Sequence, residues 1–150
     1  MKACGKADDI EVLTTDEKWE VDGLENGQPY EYTIGRMLTA DFLARGSRAT
    51  ALIGVNDITA LGILQELQER RRGVPQEFSV CGFDNIFQAG IVTPGLTTVD
   101  HQLRIRCRVA VDMVVSHPVM PYASAPYVSV VEYMPRLIVR GSTGPVPAQN

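Results

Sequence analysis

The stretch from Ala49 to Val99 narrows the possible folds more than any other part of the chain. An apolar run, Ala51-Leu52-Ile53-Gly54-Val55, ends in the polar pair Asn56-Asp57. A second, Phe78-Ser79-Val80-Cys81-Gly82-Phe83, ends in Asp84-Asn85, and Leu96–Val99 forms a third. Short apolar runs without alternation suit strands covered on both faces, as in parallel sheets. Between the first two runs, Ala60, Ile63, Leu64 and Leu67 recur at i, i+3, i+4 and i+7, the spacing of one helix face. Strand, helix, strand in that order predicts a right-handed parallel crossover. In an open sheet of this kind, ligands bind beyond the carboxyl ends of the strands. Both polar pairs stand there.

The flanking sequence extends the pattern. Met1–Asp9 reads as the tail of a helix ending near Gly5, Ile10–Leu13 as a short strand, and Thr14–Pro29 as irregular. Tyr30, Ile34, Met37, Leu38 and Phe42 predict a helix over Tyr30–Arg45, stopped by a left-handed Gly46. Asn56 or Asp57 can cap the next helix, and Arg70-Arg71-Arg72 is placed in its last turn, where cations suit the negative end. Gly73 and Pro75 stop it. Asp84–Pro94 reads as a loop rich in apolar residues, Ile86, Phe87, Ile91 and Val92, which asks for a covering partner. A helix over Gln102–Ser116, a strand over Tyr127–Tyr133, an extended Leu137–Val139 and a frayed Gly141–Asn150 complete the chain. The expected fold is α/β: three layers, α/β/α, around a mostly parallel sheet.

Composition excludes several functions. A formal net charge of -4 over 150 residues argues against this chain itself gripping nucleic acid, which takes a basic face. The three cysteines, Cys4, Cys81 and Cys107, are odd in number and widely spaced, so reduced thiols and a cytoplasmic setting are expected. Cys81 reads as a small buried hydrophobe. No metal or cofactor is expected. No run is long enough to span a membrane, and no apolar signal segment opens the chain.

Each candidate for chemistry has a plain structural alternative. Asn56 can cap the helix, or offer its amide to a ligand hydroxyl; both hold if Asp57 caps instead. Asp84 can be a turn carboxylate, or an acceptor for neighbouring hydroxyls. Phe83 reads as core rather than as a stacking platform, and His101 alone decides nothing. There is no nucleophile elbow, dinucleotide fingerprint or phosphate loop, so no enzyme is expected.

Four segments, taken together, resemble a known family. Val55-Asn56-Asp57-Ile58-Thr59-Ala60-Leu61-Gly62 is similar to the A-N-D-x-x-A-L-G signature of the lac-repressor/galactose-repressor (LacI/GalR) family. Gly73-Val74-Pro75-Gln76-Glu77-Phe78-Ser79-Val80-Cys81-Gly82-Phe83-Asp84-Asn85 resembles its G-x-x-V-P-x-D-x-S-V-x-G-F-D-D/N segment. Thr93–Val99 is similar to its T-P-P-L-T-T-V, and Leu137–Thr143 to its closing L-V-V-R-x-S-T. The blocks keep the family's order and spacing.

The resemblance implies the effector-sensing and dimerisation part of a transcription repressor. Its two lobes would resemble periplasmic sugar-binding proteins (type I), with a small sugar-like or nucleobase-like effector between them. Residues 1–100 would form the second lobe. Residues 101–150 would hold a crossover helix and strand returning to a first lobe absent here, plus the frayed tail. DNA would be bound only through an N-terminal helix-turn-helix outside the chain. The same resemblance makes Asn56, Asp84, His101 and Trp19 the ligand-binding residues, with His101 standing where the family commonly has glutamine, and Trp19 as the candidate lid residue. It assigns Ile86, Phe87, Ile91 and Val92 to a homodimer interface. A sugar-binding protein of a transport system is the alternative.

Overall fold

The computed structural model describes residues 10–15, 27–116 and 130–147. Helix α1 (Tyr30–Arg45) leads into strand β1 (Ala51–Ile53), then α2 (Asp57–Glu69), β2 (Ser79–Phe83), α3 (Phe87–Ile91), β3 (Thr97–Asp100), α4 (Leu103–Ser116) and β4 (Arg136–Ile138). The sheet runs β1-β2-β3-β4, with the first three strands parallel and β4 antiparallel to β3. This is the expected α/β class with a mostly parallel sheet.

The inner face of α2 is the predicted one. Ala60, Ile63, Leu64 and Leu67 are buried and join Leu52 and Val80 of the sheet, Phe42 of α1, and Phe78, Ala89 and Leu96 in one core. Phe42 and Phe78 meet edge-on at 6.0 Å. Helix α1 lies across α2 at two glycines. A methyl group on Gly35 would fall on the Thr59 carbonyl, and one on Gly62 on the Tyr32 carbonyl. Glycine at both positions lets the backbones approach closely. Arg36 of α1 bridges to Glu66, 3.0 Å away, and to Glu69 across the same crossing. Gly46 ends α1 at φ 66, as predicted.

The α1–α2 pair covers one face of the sheet. On the other face, Ile53 and Leu137 stay 78% and 62% exposed, so the described residues do not supply the expected far layer. Helix α4 forms as predicted, but none of its residues is buried.

Several expectations are corrected. Residues 10–13 lie outside any strand, as do residues 130–133; residues 127–129 fall outside the described residues. The arginine run does not occupy the last turn of α2. The helix ends at Glu69, and Arg71 takes a left-handed φ of 56, which a continuing helix cannot contain. Arg70 bonds back to Glu66 at 2.7 Å, and Arg72 pairs with Glu77 at 3.1 Å while lying over the Phe78 ring. The Asp84–Pro94 loop contains α3.

The tail from Gly141 is not frayed through Thr143. The Ser142 hydroxyl donates to the Val80 carbonyl at 2.6 Å and accepts from the Thr97 N–H at 2.8 Å, and Ser142 is fully buried. This one residue thus joins β2 and β3 near their amino ends, which ties down a segment that composition alone marks as loose.

Candidate functional site at the strand ends

Strand register brings the predicted residues to one edge. Ile53 pairs with Cys81, so Asn56 and Asp84 both stand three residues past a matched pair. Phe83 pairs with Val99, which puts Asp84 level with Asp100, one residue before His101. Parallel strands therefore deliver Asn56, Asp84 and His101 to the carboxyl end of the sheet.

Asn56 is the helix cap. It has an extended backbone, and its Oδ1 accepts from the Thr59 N–H at 2.8 Å. Asp57 does not cap. Its carboxylate is fully buried, accepting from the Thr98 hydroxyl at 2.5 Å and the Ile86 N–H at 2.9 Å. It also lies against Gly82, where any side chain would strike its Oδ1. The sequence reading missed this role, because the cap explains an acidic residue in a first turn without invoking partners 29 and 41 residues away. Asp57 instead fixes the turn after β2. The Asn56 amide keeps its NH2 without a partner among the described residues.

That turn is unusual. Asp84 and Asn85 both have positive φ, 115 and 53. Non-glycine residues in this region cost free energy and persist where the surroundings hold them. Here the Asp84 N–H bonds to the Val99 carbonyl at 2.9 Å, and the Asn85 N–H to the Thr98 hydroxyl at 3.3 Å. Arg140 reaches across to the Asn85 Oδ1 at 2.7 Å and the Leu96 carbonyl at 2.7 Å.

Asp84 and His101 come together. The His101 Nε2 lies 3.1 Å from the Asp84 Oδ1. The His101 ring stacks on Phe83, centroids 5.4 Å apart and planes 13° from parallel. Phe83 is 40% exposed, which corrects the expectation that it is core. The signal was available: with Gly82 facing α2, strand alternation sends Phe83 to the opposite face. Arg106, in the first turns of α4, approaches the His101 Nδ1 at 3.1 Å. No sequence pattern pointed to Arg106.

Other expectations resolve more simply. Trp19 lies outside the described residues. Cys81 is half-buried; burial, with the Asp57 charge second, pushes its thiol up and leaves it a poor nucleophile. Of the four interface candidates, Phe87 and Ile91 project at 78% and 63% exposure, whereas Ile86 and Val92 pack partly against the core. Among the described residues, no group of three or more His, Cys, Asp or Glu could hold a metal ion. No helix among them is long and apolar enough to cross a membrane.

A mostly parallel sheet with helices packed on it, and polar residues at its carboxyl edge, fits the periplasmic-binding-protein-like class of α/β fold. The family model for the periplasmic binding protein-like domain matches residues 12–143, and the chain belongs to that family. Its relatives point to one branch. The HTH-type transcriptional repressor PurR of Haemophilus influenzae is 30% identical over 138 residues, 91% of this chain but 39% of the repressor. PurR of Pectobacterium carotovorum is 36% identical over 106 residues, covering 71% of this chain and 28% of the repressor. Among solved structures, a LacI-type transcription regulator from Bifidobacterium animalis subsp. lactis is similar at TM-score 0.64 and 34% identity, covering 75% of this chain and 39% of that one. A LacI family regulator from Arthrobacter sp. FB24, in complex with lactose, is similar at TM-score 0.63 and 29% identity, covering 75% and 42%. These relatives are transcriptional regulators rather than enzymes. The chain spans well under half the length of each.

Proposed function

We propose that this chain is the effector-sensing part of a LacI-type transcription repressor and that it does no chemistry itself. What carries the reading is one arrangement: Asn56, Asp84 and His101 stand at the carboxyl edge of a parallel sheet, Asp84 and His101 in contact, in a chain whose relatives are repressors. The effector is a small polyhydroxyl compound of the sugar kind, held by the Asn56 NH2 and the Asp84 carboxylate. Residues 1–100 serve as the second lobe, and residues 101–150 lead toward a first lobe. A ligand binding one lobe arrangement better than another shifts the population toward it, by no more than its differential affinity. DNA is bound by a helix-turn-helix outside these residues, and two copies pair through α3, with Phe87 and Ile91 at the contact.

Calorimetry with lactose and a panel of simple sugars tests this. One lobe alone should bind weakly, with Kd above about 1 mM, equivalent to roughly -4 kcal/mol. Joined to a first lobe, the protein should bind a sugar tightly, and Asp84→Ala should weaken that binding by about 1–3 kcal/mol. Affinity unchanged by that substitution would sink the site. A secretion signal in place of a helix-turn-helix in the adjoining coding sequence would favour the transport-protein reading.

A further inference from the structure

A carboxylate at a loop tip rotates freely unless something holds it. Asp84 is 37% exposed and sits on a left-handed backbone, yet its Oδ1 has a fixed partner in the His101 Nε2. His101 is itself confined, at 15% side-chain exposure, by the Phe83 ring stacked on its face. Its second nitrogen, Nδ1, faces the Arg106 guanidinium.

A guanidinium has only donors. An imidazole nitrogen facing one must therefore accept, so Nδ1 carries no proton. In the neutral ring, the proton then lies on Nε2, pointing at Asp84. We propose that His101 and Arg106 are positioning residues for Asp84: Arg106 selects the tautomer, and His101 donates to Oδ1. This role rests on the reading of Asp84 as an effector contact. Oδ2 has no partner among the described residues and is the oxygen offered to a ligand hydroxyl.

The chain of contacts also crosses elements. It starts on the turn after β2, passes through the residue after β3, and ends on α4. Among the described residues, none of those in α4 is buried. A shift of α4 withdraws Arg106, frees the ring to change tautomer, and unfastens Asp84. The two nitrogens of His101 are thus committed within the protein, and its place is behind the ligand contact rather than in it.

The experiment uses the intact chain labelled with [15N]histidine. Long-range proton–nitrogen spectra at neutral pH report which ring nitrogen is protonated, and His101→Gln assigns the signals against those of His117. In the unaltered chain, Nε2 should be protonated and Nδ1 bare. Arg106→Met should draw the two nitrogen shifts of His101 together as both tautomers populate, with His117 unmoved, and Arg106→Lys should restore the difference. A protonated Nδ1, or spectra indifferent to Arg106→Met, overturns the proposal.

A second arm separates it from the reading beneath it. In lactose titrations of the chain joined to a first lobe, Arg106→Met should weaken binding about tenfold, the worth of one hydrogen bond to a charged group. If Asp84→Ala weakens binding and Arg106→Met does not, the positioning role fails alone. If neither matters, or no sugar of the panel binds, the effector reading fails while the spectra still decide the tautomer.

Discussion

Asn56 and Asp57 are neighbours with opposite assignments. Asn56 caps α2 with its Oδ1, while Asp57 turns inward and ties α2 to the loop after β2 and to β3. Removing the Asp57 carboxylate leaves the half-buried Ile86 N–H without its acceptor, and the buried Thr98 hydroxyl with nowhere to donate its proton. Asp57→Ala should therefore cost about 3 kcal/mol in urea unfolding, and a loss below about 1 kcal/mol would mean those bonds contribute nothing net. Asn56→Asp separates the two roles of its own position. An aspartate caps as well and suits the positive helix end, so stability should hold within about 0.5 kcal/mol. The NH2 donor is lost, however, so sugar binding by the two-lobed protein should fall. A chain reader can see that this strand-to-helix junction has a cap and a polar tip. Which side chain does which was not legible, because Thr98 and Ile86 enter only through the folded sheet.

Helices α1 and α2 show the same division at the scale of elements. Their amphipathic spacing was visible, and so was the stop at Gly46. The depth of their crossing was not, because Gly35 and Gly62 look like weak points in a helix until the partner backbone is placed on them. Gly62→Ala should cost about 1–3 kcal/mol by overpacking. Gly46→Ala meets open space but keeps a left-handed φ, and should cost about 1 kcal/mol. Thermal unfolding of both variants compares steric with conformational cost.

The crossing also carries a titration. Burial raises the Glu66 carboxyl, but bonds from Arg70 and Arg36 outweigh it and hold the group below the ordinary carboxylate value. A depressed folded value means the stabilisation is complete above the unfolded pKa, near 4.5, and is lost as pH falls through the folded one. Acidification from pH 7 to 3 should therefore destabilise the unaltered chain more than Glu66→Gln. Equal losses in denaturant titrations would show that the arginines do not discriminate.

For the molecule as a whole, the sequence blocks marked the strand ends, and the family match over residues 12–143 agrees with them. What lay outside their reach was the role of the closing segment, since polar and proline-containing residues near a terminus ordinarily mean a loose end. The exposed Phe87 and Ile91 belong to this scale too. If α3 pairs two copies, Phe87→Asp should lower the sedimentation coefficient toward that of a monomer while leaving the circular dichroism spectrum unchanged. A spectrum and sedimentation profile both unmoved would place the contact elsewhere.

The closing segment sets an order of events during synthesis. Ser142 is bonded to Val80, which is made 62 residues earlier, and to Thr97, made 45 residues earlier. Synthesis proceeds at about 5–20 residues per second, and domains fold as units while it does. The α1–α2 crossing and the β1-β2-β3 pairing use only residues made before Ser142, whereas the two bonds that join β2 and β3 through it must wait for that residue. At that pace about 2–9 seconds separate Thr97 from Ser142, and for that time the amino ends of β2 and β3 lack the residue that fastens them to each other.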